Sequence, residues 1–333
     1  MSPKSTRRVV KTILGALGVL IFLYLVRRVG LGALASNVKR FGPWFVATFC
    51  VALSWLFCQS LAWWLIQKAY FQKVTLGTLF RVRIIGDSFN LILPSANLGG
   101  DALRAFMIRG DVPLKDGVPS VLFDKTMEFV GSLVFLIGGL LVGLYALRLP
   151  AKLVIPVSIS LGITAVMVAL FVFAQKRGLV ATLAQLGRIS PRLAAWAAKR
   201  ESNLQAIDKS FRLLYTRSNT MAFLPLALQV VSRLLGVAEV MIIMAVLKVP
   251  MGFVKALFIS TVITAGNTAF FVLPGQWGVT EGLSILVLQS LGYPAAAGLS
   301  LAVIRRIRKL MTTGLGLVLF AAEKKKPPKV EAS

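Results

Sequence analysis

Five stretches of the chain carry no Asp, Glu, Lys or Arg: residues 41–67, 129–147, 153–175, 256–280 and 282–304. A hydrocarbon core about 30 Å thick is crossed by about 20 apolar residues in helical form, so each stretch can span it. None alternates apolar and polar positions as a barrel strand does, and in lipid only helices and closed barrels satisfy their own backbone. The pattern predicts an all-α, polytopic helical membrane bundle with six to eight transmembrane helices. A further apolar run at 12–26 follows Lys4, Arg7, Arg8 and Lys11. It has the charge and length of a signal peptide. No small-residue cleavage site follows cleanly and Arg27 and Arg28 come next, so it reads as an uncleaved first helix.

Two places interrupt this pattern in the same way. One is Leu93-Pro94-Ser95-Ala96-Asn97-Leu98-Gly99-Gly100-Asp101, the other Leu273-Pro274-Gly275-Gln276-Trp277-Gly278-Val279-Thr280-Glu281. Each reads as an apolar segment, a Pro/Gly break and an acid that opens a new helix. Interrupted hydrophobic segments at corresponding places in two halves are the sequence pointer to a transporter's binding site. Around the first break, Arg81, Arg83, Asp87, Asp101, Arg104 and Arg109 punctuate apolar stretches too short to span. A re-entrant or half-helix hairpin is expected there in place of a full crossing.

The net charge of +26 raises the question of nucleic acid. The bases flank apolar spans instead of forming a soluble patch, so membrane topology and anionic lipid headgroups account for them and no nucleic-acid partner is expected. The largest extramembrane segment is 176–217. Ser190 and Pro191 suit a helix start, and Leu204, Ile207, Phe211 and Leu214 recur at helical spacing among Lys199, Arg200, Lys209 and Arg212. This basic amphipathic helix either lies along the membrane surface or packs against the spans. Its charge places it and both termini in the cytoplasm. Residues 1–322 read as one membrane domain and 323–333 as a disordered basic tail. Of Trp44, Trp55, Trp63 and Trp64, some are expected at a membrane interface. Cys50 and Cys58 would sit about 12 Å apart along one helix, too far for a disulfide. The chain has no histidine, which removes the commonest general base and metal ligand. No Walker A, Asp-x-Asp or Gly-x-Ser-x-Gly motif is present, so no enzymatic activity, cofactor or metal is expected.

Four motifs occur in order: Pro94 to Arg104; Asp124-Lys125-Thr126-Met127-Glu128; Pro274 to Gly282; and Val303-Ile304-Arg305-Arg306-Ile307-Arg308-Lys309-Leu310. Together they resemble the flippase-like transmembrane domain family of lysylphosphatidylglycerol synthases, including its stand-alone inner-membrane members, over nearly the full chain. Gln276 and the late run of arginines are similar to the hopanoid-associated branch. The second motif usually reads Pro-Gly-Gly-Leu-Gly, and Gln276 and Trp277 depart from it beside the expected ligand. Residues 323–333 are all that follow the last span here, so lysyl transfer is not carried over. The resemblance implies a multi-pass protein of the bacterial inner membrane that moves an anionic phospholipid or lipid-linked precursor between leaflets. Its partners would be membrane lipids, with a lipid-synthesis enzyme or further copies of itself as candidates. Two alternatives remain open: a non-transporting scaffold of a lipid-synthesis complex, and a membrane-embedded lipid transferase.

The candidate headgroup or translocation residues are Gly99, Gly100, Asp101, Arg104, Pro274, Gly275, Gln276, Gly278, Glu281, Arg305 and Arg306. Helix N-termini after Gly100 and Gly278 would offer N–H groups to a lipid phosphate. Asp101 reads equally as a plain N-cap, and Arg104 either as its partner or as a phosphate ligand. An acid such as Glu281 between two charge-free stretches is functional by default, and Arg305 and Arg306 are its natural counter-charges. Arg308 and Lys309 are expected to snorkel to the interface. Asp124, Glu128, Arg233 and Glu239 are candidate gating or cavity residues. Asp124 and Glu128 share a helical face and either gate a cavity or cap a helix end, whereas Arg233 and Glu239 each need a partner on another helix.

Overall fold

The computed structural model describes residues 31–69, 74–92, 99–147, 151–178, 223–269 and 278–324, with a few positions between 201 and 209. The first apolar run, most of the amphipathic segment, Pro274, Gly275, Gln276 and the basic tail beyond Lys324 lie outside them. Among the described residues there are ten helices and no strand. In chain order they are α1 (Leu31–Phe41), α2 (Trp44–Ala69), α3 (Leu76–Ile92), α4 (Gly99–Met107), α5 (Leu114–Ala146), α6 (Ala151–Arg177), α7 (Phe223–Val246), α8 (Phe253–Ala269), α9 (Val279–Ser290) and α10 (Ala295–Lys324).

Among the described residues, three helices are long and apolar enough to cross a membrane, over Trp44–Lys68, Leu114–Ala146 and Phe223–Val246. Shorter apolar helices cover Phe253–Ala269 and Val279–Ser290. The outward faces carry large bare side chains: Leu141 is 61% exposed, Leu170 63% and Val318 67%. Unpolar surface on this scale belongs against lipid. The interior holds two apolar clusters. One joins α5, α7, α8, α9 and α10 through Phe135, Leu136, Ile243, Phe258, Val287 and Ile304. The other lies under α2, α3, α4 and α5 around Trp63, Leu79, Ile108 and Val121.

The 30 residues of α10 make a rod about 45 Å long, and two helical hairpins lie along its opposite ends. Along its C-terminal half runs α3, antiparallel to it. Arg81 pairs with Glu323 at 3.4 Å, Phe89 meets Phe320, and Ser88 and Ile84 face Gly316. The return helix α4 crosses α3 where Gly100 meets Gly86, so closely that a methyl group on Gly100 would fall on the Gly86 carbonyl. Along the N-terminal half of α10 lies α9, with Gly298 against the backbone of Ser284 and Ile285. Its partner α8 returns beside it: Thr280 Oγ1 donates to Asn267 Oδ1 at 3.2 Å, and Gly266 lies under Leu283. The helices flanking 93–98 and 270–277 are therefore short and paired, as the sequence predicts for interrupted elements. They pack against opposite halves of α10.

Close approach along α10 gives a test within one helix. A Cβ at Gly316 would collide with Ser88, whereas one at Gly314 meets nothing within 4 Å. Both changes to Ala gain up to about 1 kcal/mol of helix propensity, but overpacking costs about 1–3 kcal/mol. Thermal unfolding in detergent is expected to show a lower midpoint for Gly316→Ala and an equal or higher one for Gly314→Ala.

Candidate functional site

Buried charge organises the interior into three ionic groups. The largest centres on Asp124 of α5, which has no exposed surface. Arg83 Nη1 and Arg104 Nη2 both donate to its Oδ2, at 2.5 and 2.7 Å, and Gln229 Nε2 donates to its Oδ1 at 3.2 Å. Arg104 also donates to Asp101 Oδ1 at 3.0 Å. Lys125 Nζ bridges Asp101 at 3.4 Å and Glu128 at 3.3 Å. Glu128 further accepts from Arg83 and lies 3.8 Å from Arg233, whose Nη2 donates to Ser132 Oγ at 2.6 Å. Removing guanidinium and carboxylate groups from water is costly, and shared, hydrogen-bonded pairs of this kind are what make it tolerable.

The second group belongs to α7 and α10. Glu239, also fully buried, accepts from Arg305 Nε and Arg308 Nε, each at 2.8 Å. In the third, Glu281 Oε1 lies 2.6 Å from Arg306 Nη2, and its Oε2 accepts from the Gly278 N–H at 2.8 Å. Gly278 is the N-cap of α9, with φ +78°, a conformation that suits glycine, and Glu281 at N3 reaches back to it.

One face of α2 serves the arginines of two of these groups. Trp55, Gln59 and Trp63 recur at four-residue spacing, so they line one side of the helix. Trp63 lies under the Arg104 guanidinium at 4.1 Å, Gln59 accepts from Arg83 Nη2 at 3.0 Å, and Trp55 lies under Arg308 at 4.5 Å. Aromatic faces hold desolvated guanidiniums by cation–π attraction.

The groups surround a cavity of about 600 Å³. Asn90, Leu91, Ile92, Asp101 and Arg104 line it from the first interrupted hairpin, and Ile263, Thr264, Asn267 and Thr280 from the second. The two elements thus border one polar chamber. Among the described residues, its walls carry eight bases (Arg83, Arg104, Lys125, Arg233, Arg305, Arg306, Arg308, Lys309) against three acids (Asp87, Asp101, Glu128). Toward the outside, Ile92 and Leu310 line it with half their surface or more exposed. A helical membrane protein with a cationic chamber between two interrupted hairpins is a solute- or lipid-handling design in form.

The chain belongs to the family described as the lysylphosphatidylglycerol synthase TM region, which matches residues 9–316. No significant match to a curated protein or to a solved structure accompanies it. Membership makes this a membrane protein related to lipid biosynthesis or lipid movement, in keeping with its apolar helices.

The structure brings Gly100, Asp101, Arg104, Asp124, Glu128, Arg233, Glu239, Glu281, Arg305 and Arg306 into or directly behind this chamber. Gly99 opens α4 and Gly278 caps α9, and Pro274, Gly275 and Gln276 fall outside the described residues. Several details differ from expectation. Asp101 lies inside the first turn of α4 and faces Arg104 and Lys125. The N–H of Gly100 donates to Asn90 Oδ1 at 2.7 Å and that of Gly278 to Glu281 Oε2 at 2.8 Å. Asp124 and Glu128 lie inside the ionic network and do not simply cap a helix end. Arg308 is 7% exposed and bonded to Glu239; it does not snorkel, because α10 turns it toward α7. Trp55 and Trp63 face arginines in the interior, while Trp44, half exposed at the start of α2, fits an interface. Periodicity singles out none of Trp55, Gln59, Trp63 and Gln229; their spacing is visible in the sequence, but their partners are on other helices.

Removing one member of a buried pair costs about 3–5 kcal/mol, whereas an exposed pair contributes about 0–1 kcal/mol. Glu239→Gln leaves Arg305 and Arg308 without their carboxylate, and Arg81→Ala removes the partly exposed pair with Glu323. Denaturant unfolding in micelles is expected to show a large loss for Glu239→Gln and little change for Arg81→Ala.

Proposed function

We propose that the protein carries an anionic phospholipid or lipid-linked precursor between the leaflets of the bacterial inner membrane. The observation that carries this reading is the chamber: about 600 Å³, lined by eight bases and three acids, and bordered by both interrupted hairpins. A phosphate is stabilised there by charge-assisted bonds from arginines in a low-dielectric setting. The acyl chains stay in the bilayer, leaving past the exposed apolar side chains of Ile92 and Leu310. Asp101, Asp124, Glu239 and Glu281 hold the cations in place when the chamber is empty and let them swing to a headgroup when it is filled. The Gly100 and Gly278 N–H groups are already bonded, and the arginine side chains supply the charge that meets the phosphate.

The transferase alternative calls for an acid pair free to hold a divalent cation. Asp124 and Glu128 are the candidates, and both are already engaged by guanidinium and ammonium groups. The carrier reading uses those same contacts.

Transbilayer movement of a fluorescent phosphatidylglycerol in proteoliposomes tests the proposal. A charge-assisted hydrogen bond contributes about 1.5–3 kcal/mol, so Arg306→Ala is expected to slow movement about tenfold or more. Glu281→Ala, which removes the carboxylate 2.6 Å from Arg306, is expected to slow it as well. Wild-type vesicles that move lipid no faster than protein-free ones would sink the reading.

A further inference from the structure

The charge of the chamber specifies more than the sign of its ligand. Three carboxylates stand directly behind its wall, each bonded to a lining base: Asp124, Glu239 and Glu281. With the three acids of the lining, six carboxylates stand against eight lining bases. Among the described residues, two positive charges are left over. Six of the eight bases are arginines, which do not give up their proton in proteins. An uncompensated positive excess of this kind favours an anion that matches it.

The excess also has a location. Lys125 sits between two carboxylates. Among the described residues, Lys309 is the lining base with no carboxylate within 4.0 Å. It follows Arg308 on α10 and is exposed beside Leu310, on the rim through which acyl chains would leave. A phosphodiester brings one negative charge. A phosphate monoester brings about 1.5 to 2 near neutral pH, with its second proton lost at about pH 6.

Resting on the lipid-carrier reading, we propose that the chamber is a site for a doubly charged phosphate monoester, met first by Lys309 at the rim and then by Arg305 and Arg306 inside. The shared chemistry is the monoester dianion; its source is either a lipid with a terminal phosphate or free phosphate.

Two measurements on the full-length protein test this. The first is thermal stabilisation in detergent by phosphatidic acid, phosphatidylglycerol of the same acyl chains, and inorganic phosphate. Phosphatidic acid is expected to bind at least about tenfold more tightly than phosphatidylglycerol, equivalent to about 1.4 kcal/mol, and to lose that advantage when the pH falls below about 6. Lys309→Gln is expected to abolish the preference and Lys309→Arg to keep it. Attraction to the basic surface in general would leave both variants like the wild type and overturn the proposal. Inorganic phosphate matching phosphatidic acid would uphold the dianion site and assign it to a soluble source. Equal or tighter binding of phosphatidylglycerol would overturn the dianion assignment. The second measurement is transbilayer movement of both lipids. If both move at equal rates, the carrier reading stands and the monoester preference fails; if neither moves while phosphatidic acid binds selectively, the carrier reading fails and the site remains.

Discussion

A guanidinium at the depth of a bilayer needs a carboxylate, and this requirement shapes the protein. Six carboxylates, Asp101, Asp124, Glu128, Glu239, Glu281 and Asp87, lie in or behind one chamber within an otherwise apolar bundle. Five of them engage a base on another helix or another turn. Those contacts tie α3, α4 and α5 into one unit, α7 to α10, and α9 to α10. Apolar contact cannot supply such specificity, because lipid tails solvate leucine as well as another helix does.

Small residues make the ionic contacts reachable. Where Gly100 meets Gly86, α4 comes close enough to α3 for Arg104 to reach Asp124 and to lie over Trp63. Gly298 and Gly316 do the same for α10 against α9 and α3. The cations Arg305, Arg306, Arg308 and Lys309 sit between these two glycines.

Fold class was legible from the charge-free stretches, because a bilayer imposes one length and one composition on a spanning helix. The paired breaks were legible too, and the described residues on either side of them do border one chamber. Partner choice was not legible. Glu239 and Arg308 lie 69 residues apart, and nothing in the periodicity of either helix names the other. Arg308 was expected at the interface because it follows a long apolar run, a reading that composition favours and the rotation of α10 overturns. For the tryptophans of α2 the sequence says only that some lie at an interface, not which: Trp suits both an interfacial belt and the underside of a guanidinium, and only tertiary contact separates the two uses. Asp101 and Glu281 stand at matching points of the two motifs, yet one braces two bases of a larger network and the other divides its oxygens between Arg306 and the cap of its own helix.

The two hairpins pack against opposite halves of one helix, α10, and the same helix carries Arg305, Arg306 and Arg308 to Glu239 and Glu281. A displacement of α10 is therefore felt at once by α3, α7 and α9, and a disturbance at either hairpin has a short mechanical route to the other.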